Sequence, residues 1–264
     1  MQNNLLSWCF TAFVIFLPII GMKNVLWLHQ TLGIPSWLIR LLILFLPLIL
    51  FLEVVIKIIF LKILRPVQFT AIEINPNTDI ADADVVQLNY YDAELKRLGF
   101  VKLADYTAPS IAGVARLFAH PKHNCFAEVG FLKDTPVFCS LIAAYTQDWA
   151  LVISNQQLSS STNIAYAFLR LPRELVMRFF EKPAFLLNTF LAWDREITEA
   201  LKINIIKDIT VATYFTLNNQ RLAKQRKSLI RKSIIWGLIE TWLFSKNPRL
   251  EYLGDYKKIR SVQS

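Results

Sequence analysis

The chain has 264 residues, a formal charge of +9, 54% hydrophobic residues and a mean hydropathy of +0.38. That length holds a membrane anchor plus one soluble domain of ordinary size, with little room for a second. The charge sits at the ends: 1–65 has five Lys and Arg against Glu53, 219–264 has eleven against Glu240, Glu251 and Asp255, and 66–218 has thirteen against sixteen acids. A nucleic-acid reading of the whole chain loses its main support, and no nucleic-acid partner is expected. Cys9, Cys125 and Cys139 lack CxxC spacing, which suggests buried free thiols in a reducing compartment and not a disulfide framework.

From Leu5 to Met22 no residue is charged, a run of about the 18–20 residues that cross a hydrocarbon core. A cleaved signal peptide fits less well, because MQNN has no Lys or Arg and no A-x-A site follows. Trp37 to Leu61 is a second candidate span, entirely apolar from Leu41 to Leu52. Trp8, Trp27 and Trp37 suit interfacial belts, and spanning helices tolerate residues such as Pro18 and Pro47. The expectation for 1–65 is a two-helix transmembrane hairpin. Glu53 and Lys57 stand four apart and share a helix face, either as a neutralised interfacial pair with a snorkelling lysine or as part of an ion relay. Lys57, Lys62 and Arg65 after the second span place residue 66 onward in the cytoplasm by the positive-inside rule. The expected localisation is an integral membrane protein with two spans and cytoplasmic N- and C-termini.

Residues 66–218 read as a cytoplasmic α+β domain. NPNTDIADAD at 75–84 looks like a linker or exposed loop, and Val85–Leu98 reads as a helix with Gly99 as its stop. Apolar and β-branched runs follow near Phe100–Tyr106, Val114–Ala119, Phe126–Leu132, Val137–Tyr145 and Trp149–Ser154, with turn residues between them. Such short connections join antiparallel neighbours, so an antiparallel β-meander of five strands is expected. From Pro172 the spacing reads as helical, with Leu175, Val176, Phe179 and Phe180 on one face, and helical spacing continues over Phe185–Ile206. These helices would cover the apolar face of the meander, with Phe179, Phe180, Phe185, Phe190 and Trp193 as a buried stripe.

Ligand-type residues cluster once, in HPKHNCFAE, as His120, His123, Cys125 and Glu128. His120, His123 and Cys125 make a candidate three-ligand metal site, although Pro121, Lys122 and Asn124 explain the same segment as a turn. A Cys–His nucleophile from Cys125 or Cys139 lacks an electropositive setting or helix N-terminus to lower the thiol pKa. No GxSxG, HExxH, Walker A or GxGxxG occurs, so no cofactor is expected and the large nucleotide-dependent classes are disfavoured. Asp194, Glu196 and Glu199 read as a solvated helix face.

The basic C-terminal region, 219–264, contains RLAKQRKSLIRK, six basic residues without an acid, running into SIIWGLIETWLF. On a helix, Ile234, Ile235, Leu238, Ile239, Trp242 and Leu243 form one stripe, with Ser233, Gly237, Glu240 and Thr241 opposite. Arg221, Lys224, Arg226, Lys227, Arg231 and Lys232, with Trp236 and Trp242, are candidate lipid-binding residues. The competing reading is a core helix docked by its stripe. Two functional readings follow: a membrane-anchored module whose cytoplasmic domain binds lipid headgroups or a protein partner, or a membrane-bound, hydrolase-like enzyme with a site near His120–Glu128. A transport role centred on Glu53 and Lys57 would need partner subunits.

Overall fold

The computed structural model describes residues 30, 35–64, 69–72, 82–108, 111–132, 136–158, 160–248 and 250–263. They fall into two compact units: helix α1 (Ser36–Ile63) with the short segment Ser233–Ile235, and the rest of the chain from Leu64 onward.

Helix α1 contains Pro47, and Lys57 Nζ lies 2.9 Å from Glu53 Oε1 one turn earlier. Among the described residues no helix is long and apolar enough to cross a membrane. The expectation of an integral membrane protein with a transmembrane hairpin, two spans and both termini in the cytoplasm is therefore corrected. The physical reason lies in the charges: Arg40, Glu53 and Lys57 cut Trp37–Leu61, and the uninterrupted apolar run is only Leu41–Leu52, a length typical of a buried or interfacial segment. The first proposed span, Leu5–Met22, lies outside the described residues.

The second unit is α+β. Strands β1 (Thr70–Ile72), β2 (Val101–Ala108), β3 (Ile111–His120), β4 (Cys125–Leu132), β5 (Phe138–Ala144), β6 (Ala150–Ser154) and β7 (Glu174–Arg178) form one sheet in chain order, and the two-residue β8 (Glu251–Tyr252) sits on its edge. Pairing is antiparallel from β1 through β6; a helix over Asp82–Arg97 separates β1 from β2, but from β2 on the connections are short, and the β3–β4 turn, for example, closes with Asn124 N–H donating to His120 O at 2.9 Å and Asn124 at φ 50°. The sheet is mixed, however, and not a wholly antiparallel meander: β7 runs parallel to β6. Helix α3 (Ser160–Leu169) lies in the connection between them and supplies the crossover that a parallel return requires. The helical reading from Pro172 to Phe180 is corrected with it. Leu175 and Met177 are buried and Val176 and Arg178 are half-buried, which is the two-residue alternation of a strand.

That alternation gives the sheet two faces of different character. Cys125, Ala127, Val129, Cys139, Leu141, Leu151, Ile153, Leu175 and Met177 face the main core. Helices α2 (Asp82–Arg97) and α4 (Pro183–Leu201) cover that face with Leu88, Leu95, Leu186, Phe190 and Ile197. Helix α2 stops where Gly99 takes φ +92°, a conformation open to glycine at no Cβ cost. The other face carries Leu117, Phe126, Glu128, Ser140 and Ser154; its apolar part packs on Tyr214 of α5 (Val211–Arg231). Helices α6 (Ile234–Lys246) and α7 (Tyr256–Gln263) complete the chain. The boundary expected between 218 and 219 falls inside α5.

Candidate functional site

Helix α5 starts at Thr210, whose side-chain oxygen accepts from Thr213 N–H at 3.3 Å, satisfying one of the free donors of the first turn. Its inner face then crosses the sheet. Tyr214 O–H donates to Glu128 on β4, and Tyr106 O–H lies 3.4 Å from the Tyr214 oxygen. Two turns on, Arg221 pairs with Glu174 on β7, which is 3% exposed. Tyr214 to Arg221 is seven residues, a rise of about 10 Å, and β4 to β7 is three strand spacings, about 14 Å, so the helix runs across the strands. Gln225 Nε2 donates to Leu169 O at 2.9 Å, and Lys224 lies 2.8 Å from Asp148.

The six basic residues singled out in the sequence therefore divide in two. Arg221 and Lys224 hold acids of the domain, and Lys232 donates to the carbonyls of Ala167 and Phe168 at 3.3 Å each. Arg226, Lys227 and Arg231 make no ion pair with a described residue, and Lys227 and Arg231 are exposed.

Helix α6 docks by the side that reads as polar. Gly237 is buried against Phe168 so closely that a methyl group there would overlap the ring. Glu240 pairs with Arg170 at 2.6 Å, the Arg170 guanidinium lies over the Tyr166 ring, and Phe244 stacks on Tyr166 with centroids 4.4 Å apart. Thr241 O–H turns back to Gly237 O at 2.8 Å. Residues 237, 240, 241 and 244 share one helix face by their spacing. The opposite face carries Trp236, Leu238, Ile239, Trp242 and Leu243, between 41% and 61% exposed. Lys246 sits over the Trp242 ring at 4.0 Å, a cation–π contact that keeps a positive charge at the edge of this apolar face. A helix with most of its larger apolar side chains outward is the reverse of a core helix; of the predicted stripe Ile234 is buried, while Ile235, Leu238, Ile239, Trp242 and Leu243 are exposed, so docking by the stripe describes only its first residue.

The histidine cluster is built differently. His120 and His123 have ring centroids 4.4 Å apart, and His120 Nε2 lies 3.1 Å from Leu98 O. Burial, then the neighbouring His123, lowers the His120 pKa; burial, then Lys122, lowers that of His123. Burial pushes the Cys125 thiol up to about 12, with Asp194 adding to the effect, and Asp194 accepts from Tyr145 O–H at 2.8 Å. A thiol held protonated is not a nucleophile at neutral pH. Among the described residues no three His, Cys, Asp or Glu side chains are grouped as a metal ion requires. Glu128 points to the face opposite Cys125, three residues earlier on the strand, so the sheet itself separates the two halves of the His120–Glu128 segment.

Sequence reading missed Glu128–Tyr214 and Glu174–Arg221, because each joins a strand to a helix far along the chain. The only local signal was an acid between apolar strand residues. Comparison with protein-family models, with curated proteins and with solved structures yields no match.

Proposed function

We propose that the second unit binds the surface of an anionic lipid bilayer through the outward face of α6, with Arg226, Lys227 and Arg231 supplying charge. The observation that carries this reading is the reversed helix: five large apolar side chains, two of them tryptophan, stand outward while glycine, glutamate and threonine face the domain. Apolar side chains on a fixed helix suit a surface into which they insert by about 5–10 Å without crossing it. Tryptophan rings settle at the headgroup level, where one edge is apolar and the N–H is wet. A protein surface would also cover apolar residues, but basic residues just before the helix that pair with no described acid favour a negatively charged partner.

The test is flotation of the full chain with vesicles of phosphatidylcholine alone and with phosphatidylserine added. Binding should strengthen with the anionic lipid and weaken from low to high salt as the charges are screened. Changing Arg226, Lys227 and Arg231 to Gln should lower affinity for the anionic vesicles about a hundredfold, taking about 1 kcal/mol per basic residue. Equal binding of the parent and the triple variant to anionic vesicles would remove the electrostatic half of the reading, and no preference for anionic lipid would remove it entirely.

A further inference from the structure

We infer that a cavity beside the 146–148 turn binds a small zwitterion with an apolar part, its anionic end on Arg173 and its cationic end on Asp255. The cavity, of about 380 Å³, is lined by Gln147, Trp149, Arg173, Leu201, Asp255 and Ile259. That volume lies within the range of small-molecule sites, which combine an apolar lining with a few convergent polar groups. Trp149, Leu201 and Ile259 supply the apolar part here. The two charges that line it are not joined to each other. Among the described residues Arg173 makes no ion pair, and its guanidinium donates to Gln147 O at 2.9 Å. Asp255 meets Lys258 only at 4.0 Å. A guanidinium without an ion-pair partner among the described residues and a loosely paired carboxylate, beside the apolar side chains of Trp149, Leu201 and Ile259, match a ligand with one charge of each sign and an apolar part.

The rim of the cavity is fixed. Gln147 and Asp148 both take left-handed backbone conformations, at φ 60° and 66°, which cost non-glycine residues of order 1–3 kcal/mol each and persist only where their surroundings hold them. Here Arg173 holds the Gln147 carbonyl and Lys224 holds the Asp148 carboxylate. Thr146 N–H donates to Asn204 O at 2.9 Å, and Asn204 N–H donates back to Thr146 Oγ1 at 3.1 Å. A rim ordered before binding loses little entropy when a ligand arrives.

The site is separate from the α6 surface and is tested separately. Ligand-detected NMR on the full chain, with L-leucine and with phosphocholine as probes, distinguishes a free amino acid from a lipid headgroup as the zwitterion. One of them should bind with a Kd of about 1 mM or tighter. If leucine binds, 4-methylpentanoate and isopentylamine, each carrying one of its charges, should bind at least roughly tenfold more weakly. Arg173→Gln and Asp255→Asn should each cost a similar factor, and the second leaves the Arg173–Gln147 bond in place, so loss of binding there is not loss of the rim. Absence of binding by both probes at about 10 mM overturns the inference. So does equal binding of the single-charge analogues, or affinity unchanged in both variants.

Discussion

A chain carrying Trp236→Ala and Trp242→Ala binds anionic vesicles about thirty- to two-hundredfold more weakly than the parent, and the loss persists at high salt. The two rings are 61% and 56% exposed, so truncation should lower vesicle binding far more than thermal stability. At a bilayer surface each ring gives up water contact for the acyl boundary, and burial of such a side chain contributes about 1–1.5 kcal/mol when it is partial. Two rings give about 2–3 kcal/mol, which is the stated fold-change. Salt separates this term from the charges of Arg226, Lys227 and Arg231: screening removes the electrostatic part within about a Debye length and leaves the apolar part. A large fall in thermal stability would mean that the rings hold the fold instead.

Gly237→Val should destabilise the second unit by about 2–3 kcal/mol and lower its Tm by about 5–10 °C. Two effects oppose each other at this position. Glycine in a helix interior costs about 1 kcal/mol relative to alanine, so on propensity alone any side chain would help. Against that, a Cβ at Gly237 falls on the Phe168 ring, which is 1% exposed and cannot swing into solvent. Overlap with a buried ring in a close-packed interior costs more than propensity returns. Gly237→Ala should show the same sign with a smaller effect. A Gly237→Ala variant more stable than the parent would mean that α6 does not seat on Phe168. Vesicle binding by the valine variant should fall as well, because the outward face is presented only while the inward one is docked.

Much of the second unit is legible in the sequence, and the parts that are not share a cause. Gly99 after Leu98 marks the end of α2 because its φ of +92° suits glycine. Strands β2 to β6 lie over apolar runs joined by short connections, and connections of that length fix antiparallel pairing. The class, helices packed on one sheet, follows from these two signals. Strand β7 was missed because Leu175–Val176 and Phe179–Phe180 are spaced as on a helix turn, and only its partner β6 decides in favour of the two-residue period.

In the N-terminal region, average apolarity over Trp37–Leu61 outweighed the charges of Arg40, Glu53 and Lys57, which leave too short an uninterrupted run. For the candidate site, the apolar stripe of α6 was visible but its direction was not. That direction is set by Arg170, Tyr166 and Phe168, which take up Glu240, Phe244 and Gly237. No local rule announces that a glutamate will face inward; it does so because an arginine already stacked on two tyrosines is there to receive it. The same holds for the basic run, where Arg221, Lys224 and Lys232 hold groups of the domain while Arg226, Lys227 and Arg231 pair with no described acid.

The central claim is that the outward face of α6 enters a lipid surface while its inward face stays on the domain. Spin labels on single cysteines, substituted in turn for Leu238, Ile239, Thr241, Trp242 and Leu243 with Cys9 changed to Ser, test it most directly. Cys125 and Cys139 are buried and should not take the label. With anionic vesicles present, labels at 238, 239, 242 and 243 should become more accessible to oxygen and less accessible to a water-soluble relaxant, while the label at 241 should not change. Accessibility would then follow the helical repeat of about 3.6 residues. An identical profile with and without vesicles, at all five positions, would contradict the account.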